Sequence, residues 1–200
     1  MAQVSIPALV AGVRSGEWLI SFPTDTVPAL ATRPDRAELI FAAKQRQPDK
    51  PLILMAATPE ALWPYVQGST AEWQIWQSVA ERYWPGALTL VLPASDRLPA
   101  VMNPIEGKTI GVRIPNWGLA LTILQQTGPL ATTSVNRSGQ PPLTALNEIE
   151  QQFSQVFTPP AEQWDLPTSD RRDTSAGLPS TVAKWTPTGW QILRQGAVQL

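Results

Sequence analysis

Apolar positions along this chain switch repeatedly between a helical and an extended rhythm, which predicts a series of helix-linked strands. Residues 7–15 read as a short helix with proline near its start, Val10 and Val13 inward and Gly16 closing it. Residues 18–22 predict a strand, and 36–44 a helix with Leu39, Ile40 and Ala43 on one face and Asp35 as its N-cap. The continuous apolar run at 51–57 fits a strand covered on both faces. A short helix follows at 59–66, and a longer one starts at Thr70. In that longer helix Trp73, Trp76, Ala80 and Tyr83 recur at helical spacing, a stripe that reads as core.

Beyond Pro85-Gly86 the pattern predicts strands at 87–92 and 109–114, separated by a loop at 95–108. A helix at 117–127 ends at Gly128-Pro129, and 130–134 is again strand-like. Thr144 reads as the cap of a helix whose Leu146, Ile149, Phe153 and Phe157 face inward. Residues 158–176 are polar and unpatterned, so a flexible surface segment is expected there. Strands at 182–185 and 190–194, joined by Thr186-Pro-Thr-Gly189, predict a terminal hairpin. With no repeat and no composition break, residues 1–200 are expected to form one α/β domain on a twisted mixed sheet.

Composition narrows the function. The chain has 200 residues, 43% hydrophobic and 16% charged, enough for an ordered core. A net charge of -1 gives no global pull toward nucleic acid, so RNA binding would need a local basic patch. The absence of cysteine excludes disulfides and thiolate chemistry, and the absence of histidine excludes an imidazole base, a serine triad and ordinary zinc sites. Any catalysis must rest on charge and positioning. No apolar run approaches membrane-spanning length and no basic-then-apolar leader opens the chain, so a cytoplasmic location without membrane attachment is expected.

Four stretches carry candidate chemistry. Lys44-Gln-Arg46-Gln-Pro-Asp-Lys50 places three cations within seven residues at a helix-to-strand junction. Lys44 and Arg46 could converge on one ligand only if the helix unwinds, which Pro48 and Pro51 favour. The geometry suits an anion clamp, and it equally suits cations placed at a helix C-terminus. Pro23-Thr24-Asp25-Thr26 puts two hydroxyls and a carboxylate just past a strand end, either a ligand loop or a polar turn. Arg113 is a charge inside a strand, snorkelling or reaching an anion. Ser134-Val-Asn136-Arg-Ser-Gly139 offers donors that could serve a phosphate.

In order along the chain, these residues resemble the YrdC/Sua5 threonylcarbamoyl-AMP synthases. The shared segments are Pro23-Thr-Asp-Thr-Val27, Lys44-x-Arg46 with Lys50-Pro-Leu52, Trp84-Pro-Gly86, Gly111-Val-Arg113, Ser134-x-Asn136, Gly177-Leu-Pro-Ser-Thr-Val182 and Leu193-Arg194-Gln-Gly196. The resemblance implies a twisted sheet curved around a concave cationic cavity, in the short, single-domain form. It implies condensation of L-threonine, bicarbonate and ATP to threonylcarbamoyl-AMP plus pyrophosphate, for threonylcarbamoyladenosine modification of tRNA by a partner transferase. It further implies that Lys44 and Arg46 are catalytic, and that Lys50, Ser134, Asn136, Ser180 and Arg194 bind ATP. Thr24, Thr26 and Arg113 would then hold threonine. No carboxylate pair is evidently dedicated to a metal, so Mg²⁺ would arrive with the nucleotide.

The chain departs from the family at Pro28-Ala29-Leu30-Ala31, where Tyr-Gly-Leu-Gly is usual, and at Arg137, where a small apolar residue is usual. The first departure keeps open a relative acting on another amino acid or carbamoyl donor. An RNA-binding module on the same fold is a further alternative.

Overall fold

The computed structural model describes residues 3–45, 47, 51–105, 107–164 and 177–200. Nine strands form one mixed sheet in the order β7-β1-β2-β6-β3-β5-β4-β8-β9. In chain order these are β1 (Leu19–Phe22), β2 (Ala29–Thr32), β3 (Ile53–Met55), β4 (Leu88–Pro93), β5 (Thr109–Arg113), β6 (Leu130–Ser134), β7 (Val156–Phe157), β8 (Thr181–Thr186) and β9 (Gly189–Arg194). The longer helices are α1 (Ile6–Ser15), α2 (Glu38–Lys44), α4 (Thr70–Tyr83), α5 (Gly118–Thr127) and α6 (Leu146–Gln152), with single turns α3 (Pro59–Leu62) and α7 (Ala161–Trp164). No helix among the described residues is long and apolar enough to cross a membrane.

Two-residue periodicity divides the sheet into faces. On one face Leu88, Leu90 and Leu92 of β4 and Ile110 and Val112 of β5 join the main core, together with Trp76 and Ala80 of α4 and Ile149 of α6. Six tryptophans (Trp63, Trp73, Trp76, Trp84, Trp185 and Trp190) run through this layer with successive ring centroids 5.1–6.2 Å apart. The predicted stripe on α4 is therefore core. The helix opens with a capping box, in which Ser69 accepts from the Glu72 backbone while Glu72 accepts from the Ser69 backbone.

On the other face a smaller cluster gathers Leu9 and Val13 of α1, Ile123 and Leu124 of α5, and Ile20, Phe22, Ala29 and Ala31 of the first two strands. The cluster extends from β1 and β2 to Leu130 of β6 and Met55 of β3. Among the described residues no helix of this cluster packs on β5, β4 or β8, and a cavity lies over them.

Several expectations are corrected. Asp35 does not cap the second helix: Pro34–Arg36 forms a 3₁₀ turn, Asp35 pairs with Arg33, and Ala37 precedes α2 without a side-chain cap. Thr144 likewise does not cap α6, whose N-cap is Ala145. Phe157 leaves that helix to pair with β1 and stack on Trp18. Residues 161–164 are helical and Trp164 is buried, so the expected flexible segment does not begin at 158; residues 165–176 lie outside the described residues. The strand β2 carries no prediction, because four residues behind a proline give too short a pattern. In β3 Leu54 enters the main core and Met55 the second cluster, so the strand meets apolar neighbours on both faces as expected, while Ile53 and Met55 also line the cavity.

Candidate active site

A cavity of about 570 Å³ occupies the uncovered sheet face. Its floor follows from strand alternation: Thr109, Gly111 and Arg113 of β5 and Thr89 and Val91 of β4 point into it, while their neighbours point into the core. Gly111 sets the depth. A Cβ there would come 3.3 Å from both Ile53 Cγ1 and Thr89 Cγ2, tighter than ordinary contact.

Arg113 organises one end. It is 3% exposed and spreads its guanidinium over three acceptors: Nε donates to the Gly86 carbonyl at 3.0 Å, one terminal nitrogen to Thr26 Oγ1 at 2.9 Å, and the other to Asp25 Oδ1 at 2.7 Å. The contact to Asp25 is a buried ion pair. Three of its five N–H groups are thereby used in the protein. The Thr24 hydroxyl meets Thr26 Oγ1 at 3.2 Å, donates to the Val27 carbonyl at 2.8 Å and accepts the Thr26 N–H. Thr24 thus shapes the turn beneath the cavity, whereas Thr26 and Arg113 line it.

Lys44 of the first junction sits differently from the expectation. Helix α2 ends at Lys44, and Gln45 takes the left-handed conformation at φ 51°. Lys44 is 1% exposed and turns away from the cavity lining. Its Nζ donates to the Ser134 carbonyl and, at 2.9 Å, to Asn136 Oδ1. Arg46 and Lys50 lie outside the described residues. Asn136 also accepts from the Ser134 hydroxyl at 2.6 Å and donates to the Arg137 and Gln140 carbonyls. Its amide is therefore committed to holding the loop; Ser134 lines the cavity and Asn136 does not. Arg137, the second departure from the resemblance, donates to the Ala43 carbonyl at the end of α2 and to the Gln152 carbonyl at the end of α6. Cations at helix C-termini are favoured by the helix dipole.

The third wall is Pro179, Ser180 and the terminal hairpin. The Gly177 N–H donates to the Thr26 carbonyl, which draws residues 177–180 across to the Thr24–Thr26 turn. The Ser180 hydroxyl bonds Thr89 Oγ1 at 2.9 Å, and Arg194 donates to the Ser180 carbonyl at 2.8 and 3.0 Å. A register shift in β9 sets Ala183 opposite Ile192 but Val182 opposite Arg194. Adjacent strand residues ordinarily face opposite sides. This bulge lets both Leu193 and Arg194 line the cavity. Partial burial, and then the like charge of Arg113, hold the Arg194 guanidinium below its ordinary pKa. It remains a cation at neutral pH.

The described lining also includes Lys184, which the sequence patterns did not single out; its alternation with Val182 on β8 was the available signal. Among the described residues the lining thus holds three cations (Arg113, Lys184 and Arg194), seven Ser or Thr hydroxyls and no carboxylate. Asp25 offsets Arg113 from behind. A site of this charge takes an anion, and its hydroxyls can bond many oxygens.

A concave, cationic, hydroxyl-lined cavity on the open face of a mixed α/β sheet defines an anion-binding α/β domain. Comparison with known proteins makes this specific: the Sua5/YciO/YrdC family profile, described as "Telomere recombination", matches residues 13–196, and the chain belongs to that family. Threonylcarbamoyl-AMP synthase of Pyrococcus abyssi is 34% identical over 197 residues, which is 94% of this chain and 53% of that protein. Threonylcarbamoyl-AMP synthase of Vibrio campbellii is 35% identical over 150 residues, covering 70% of this chain and 77% of the relative. The crystal structure of P. abyssi Sua5 complexed with L-threonine superposes with a TM-score of 0.79 at 31% identity, over 96% of this chain and 54% of that one. The chain therefore spans about half the length of the archaeal relative.

Proposed function

We propose that this chain is an L-threonylcarbamoyladenylate synthase, joining L-threonine, bicarbonate and ATP to threonylcarbamoyl-AMP with release of pyrophosphate. Two relatives carry that enzyme's name, and the P. abyssi Sua5 structure holds L-threonine. The observation that carries the reading is the cavity itself, where unneutralised Arg194 and Lys184 meet a bank of hydroxyls with no carboxylate in the described lining.

In this reading the carbamate oxygen of threonine attacks the α-phosphorus, and the bond to the bridging oxygen breaks as pyrophosphate departs. No covalent enzyme nucleophile is needed, which suits a chain without cysteine or histidine. Arg113 and Thr26 would hold the threonine carboxylate at their end of the cavity, with Thr24 supporting the turn. Ser134, Ser180 and Arg194 would contact phosphate oxygens, with Arg46 and Lys50, which lie outside the described residues, assigned to the nucleotide by resemblance alone. Lys44 and Asn136 would act by holding the Ser134 loop in place. Such positioning and charge stabilisation is how phosphoryl chemistry is accelerated. The described lining offers hydroxyls but no carboxylate, which does not suit a protein-held Mg²⁺. Any Mg²⁺ would enter on the phosphates. The adenylate would pass to a transferase that modifies tRNA, in the cytoplasm.

A second reading, that the chain acts on a different amino acid, draws on Pro28, which lines the cavity beside Thr26 and Val27. Pyrophosphate release from ATP, with threonine and bicarbonate omitted in turn, tests both. Release that requires threonine and bicarbonate supports the synthase. Release with another amino acid but not threonine moves the assignment to the second reading, and no release under any condition rejects both.

A further inference from the structure

On the β8 side of the cavity Lys184 projects from the terminal hairpin with no task in the fold. It lines the cavity, is only partly buried, and has no hydrogen-bond or ion-pair partner among the described residues. The sheet register fixes its place. Lys184 lies beside Val91, which lies beside Gly111, so it stands two strands, roughly 10 Å, from the cavity floor at Gly111. Val182, two residues earlier on the same face, is paired with Arg194. Lys184 and Arg194 are thus diagonal neighbours on adjacent strands, about 7–8 Å apart at their backbones.

Two cations held this close in one concavity repel each other, and among the described residues the lining holds no carboxylate, Asp25 behind it being engaged by Arg113. Folding gains little from such an arrangement. A ligand bearing several negative charges along an extended chain would neutralise both cations at once. A lysine ammonium also suits phosphate, because it is a mobile point charge with three donors.

We propose that Lys184 is a phosphate-binding residue that, with Arg194, holds the oxygens of a polyphosphate chain: the tail of bound ATP and the pyrophosphate released from it. The proposal rests on the synthase reading for its nucleotide. As the bond between the α-phosphorus and the bridging oxygen breaks, that oxygen keeps the electron pair and negative charge grows on the departing pyrophosphate. An ammonium placed there stabilises the charge where it develops. The pair of cations would also take inorganic pyrophosphate alone, whatever the acyl acceptor.

Titration calorimetry of the full chain with sodium pyrophosphate at low ionic strength tests this, comparing wild type with Lys184→Met, Lys184→Arg and Lys184→Glu. Losing a charge-assisted contact should weaken pyrophosphate about tenfold in Lys184→Met, and further in Lys184→Glu, with Lys184→Arg close to wild type. Threonine affinity should move less than twofold. The thermal midpoint should not move, since the side chain has no partner to lose. Unchanged pyrophosphate affinity in Lys184→Met, an equal loss in Lys184→Arg, or a wild type that binds no pyrophosphate overturns the proposal and leaves Lys184 a solvated strand residue. The two readings fail separately. Lys184-dependent pyrophosphate binding in a chain that makes no adenylate keeps the contact and removes the synthase. Threonine-dependent adenylate synthesis with full pyrophosphate affinity in Lys184→Met does the reverse.

Discussion

Replacing Asp25 with asparagine probes the buried ion pair at the Thr26 end of the cavity, the end proposed to hold threonine. Asp25 and Arg113 side chains are 7% and 3% exposed, and their charged atoms are 2.7 Å apart. Two unit charges about 4 Å apart attract by about 4 kcal/mol at the effective dielectric near a protein surface. Breaking a buried pair from one side typically costs about 3–5 kcal/mol, because the surviving charge stays buried. Asparagine keeps the shape and one acceptor oxygen, which argues for the lower end, about 3 kcal/mol. Arg113 would still hold Thr26 Oγ1 and the Gly86 carbonyl, so the fold should survive. Urea unfolding at pH 7 reads the change directly. With a slope of about 2 kcal/mol per molar for a domain this size, the midpoint should fall by about 1.5 M. Threonine affinity should fall with it, because the Thr24–Thr26 turn keeps only the Thr26 contact to Arg113 at full strength. A midpoint within about 0.3 M of wild type would refute the view that the pair is electrostatically isolated from water.

Other expectations follow from neighbouring contacts. Asn136→Ala removes an amide that links Lys44, Ser134, Arg137 and Gln140, so stability should drop by about 2–4 kcal/mol with nucleotide affinity falling as a consequence; chemical denaturation beside ATP calorimetry checks the order of effects. Pro28→Tyr alters a cavity wall, and a panel of amino acids with ATP and bicarbonate should show changed selectivity while ATP affinity holds; an unchanged panel removes Pro28 from specificity. Glu72 accepts from the Ser69 backbone and from the Trp185 indole, which lowers its pKa. A carboxylate with a depressed folded pKa stabilises above its unfolded value and loses that contribution as pH falls through the folded one. The difference in thermal midpoint between wild type and Glu72→Gln should therefore be present at neutral pH and vanish on acidification.

The strand β5 was legible from the alternation of Ile110 and Val112 with Thr109, Gly111 and Arg113, and β4 from its apolar run behind Pro85-Gly86. The strand at Leu130–Ser134 matched its predicted bounds. Motif order located the turn at Thr24–Thr26, Arg113, Ser134 and the wall at Ser180 and Arg194, and all of them except Thr24 and Asp25 line one cavity. What stayed hidden depends on contacts distant in sequence. Lys44 belongs by its local pattern to a cationic junction, yet its amino group is captured by residues about ninety positions away. Lys184 carries no signal in the sequence because its cavity neighbours come from other strands. Of the departing segment Pro28–Ala31, only Pro28 and Ala29 reach the cavity, and Ala31 packs in the α1–α5 cluster. Both alanines keep negative φ, so their substitution for glycine strains nothing.

The extra residue in β9 has a consequence for how this fold can tolerate change. Most pocket residues answer only to what they are, and a substitution acts on them alone. Arg194 answers also to how many residues precede it in its strand, since the register shift at Val182 and Ala183 is what turns it inward after Leu193. Deleting the single codon for Leu193 would remove the bulge and still leave the arginine opposite Val182 on the cavity side, whereas inserting one residue between Leu193 and Arg194 would, in a regular pleat, set the guanidinium on the opposite side of the sheet. The hairpin thus tolerates loss better than gain: substitutions can accumulate along β9 and the bulge residue can be lost, but a one-residue insertion ahead of Arg194 would disarm the cavity in a single step.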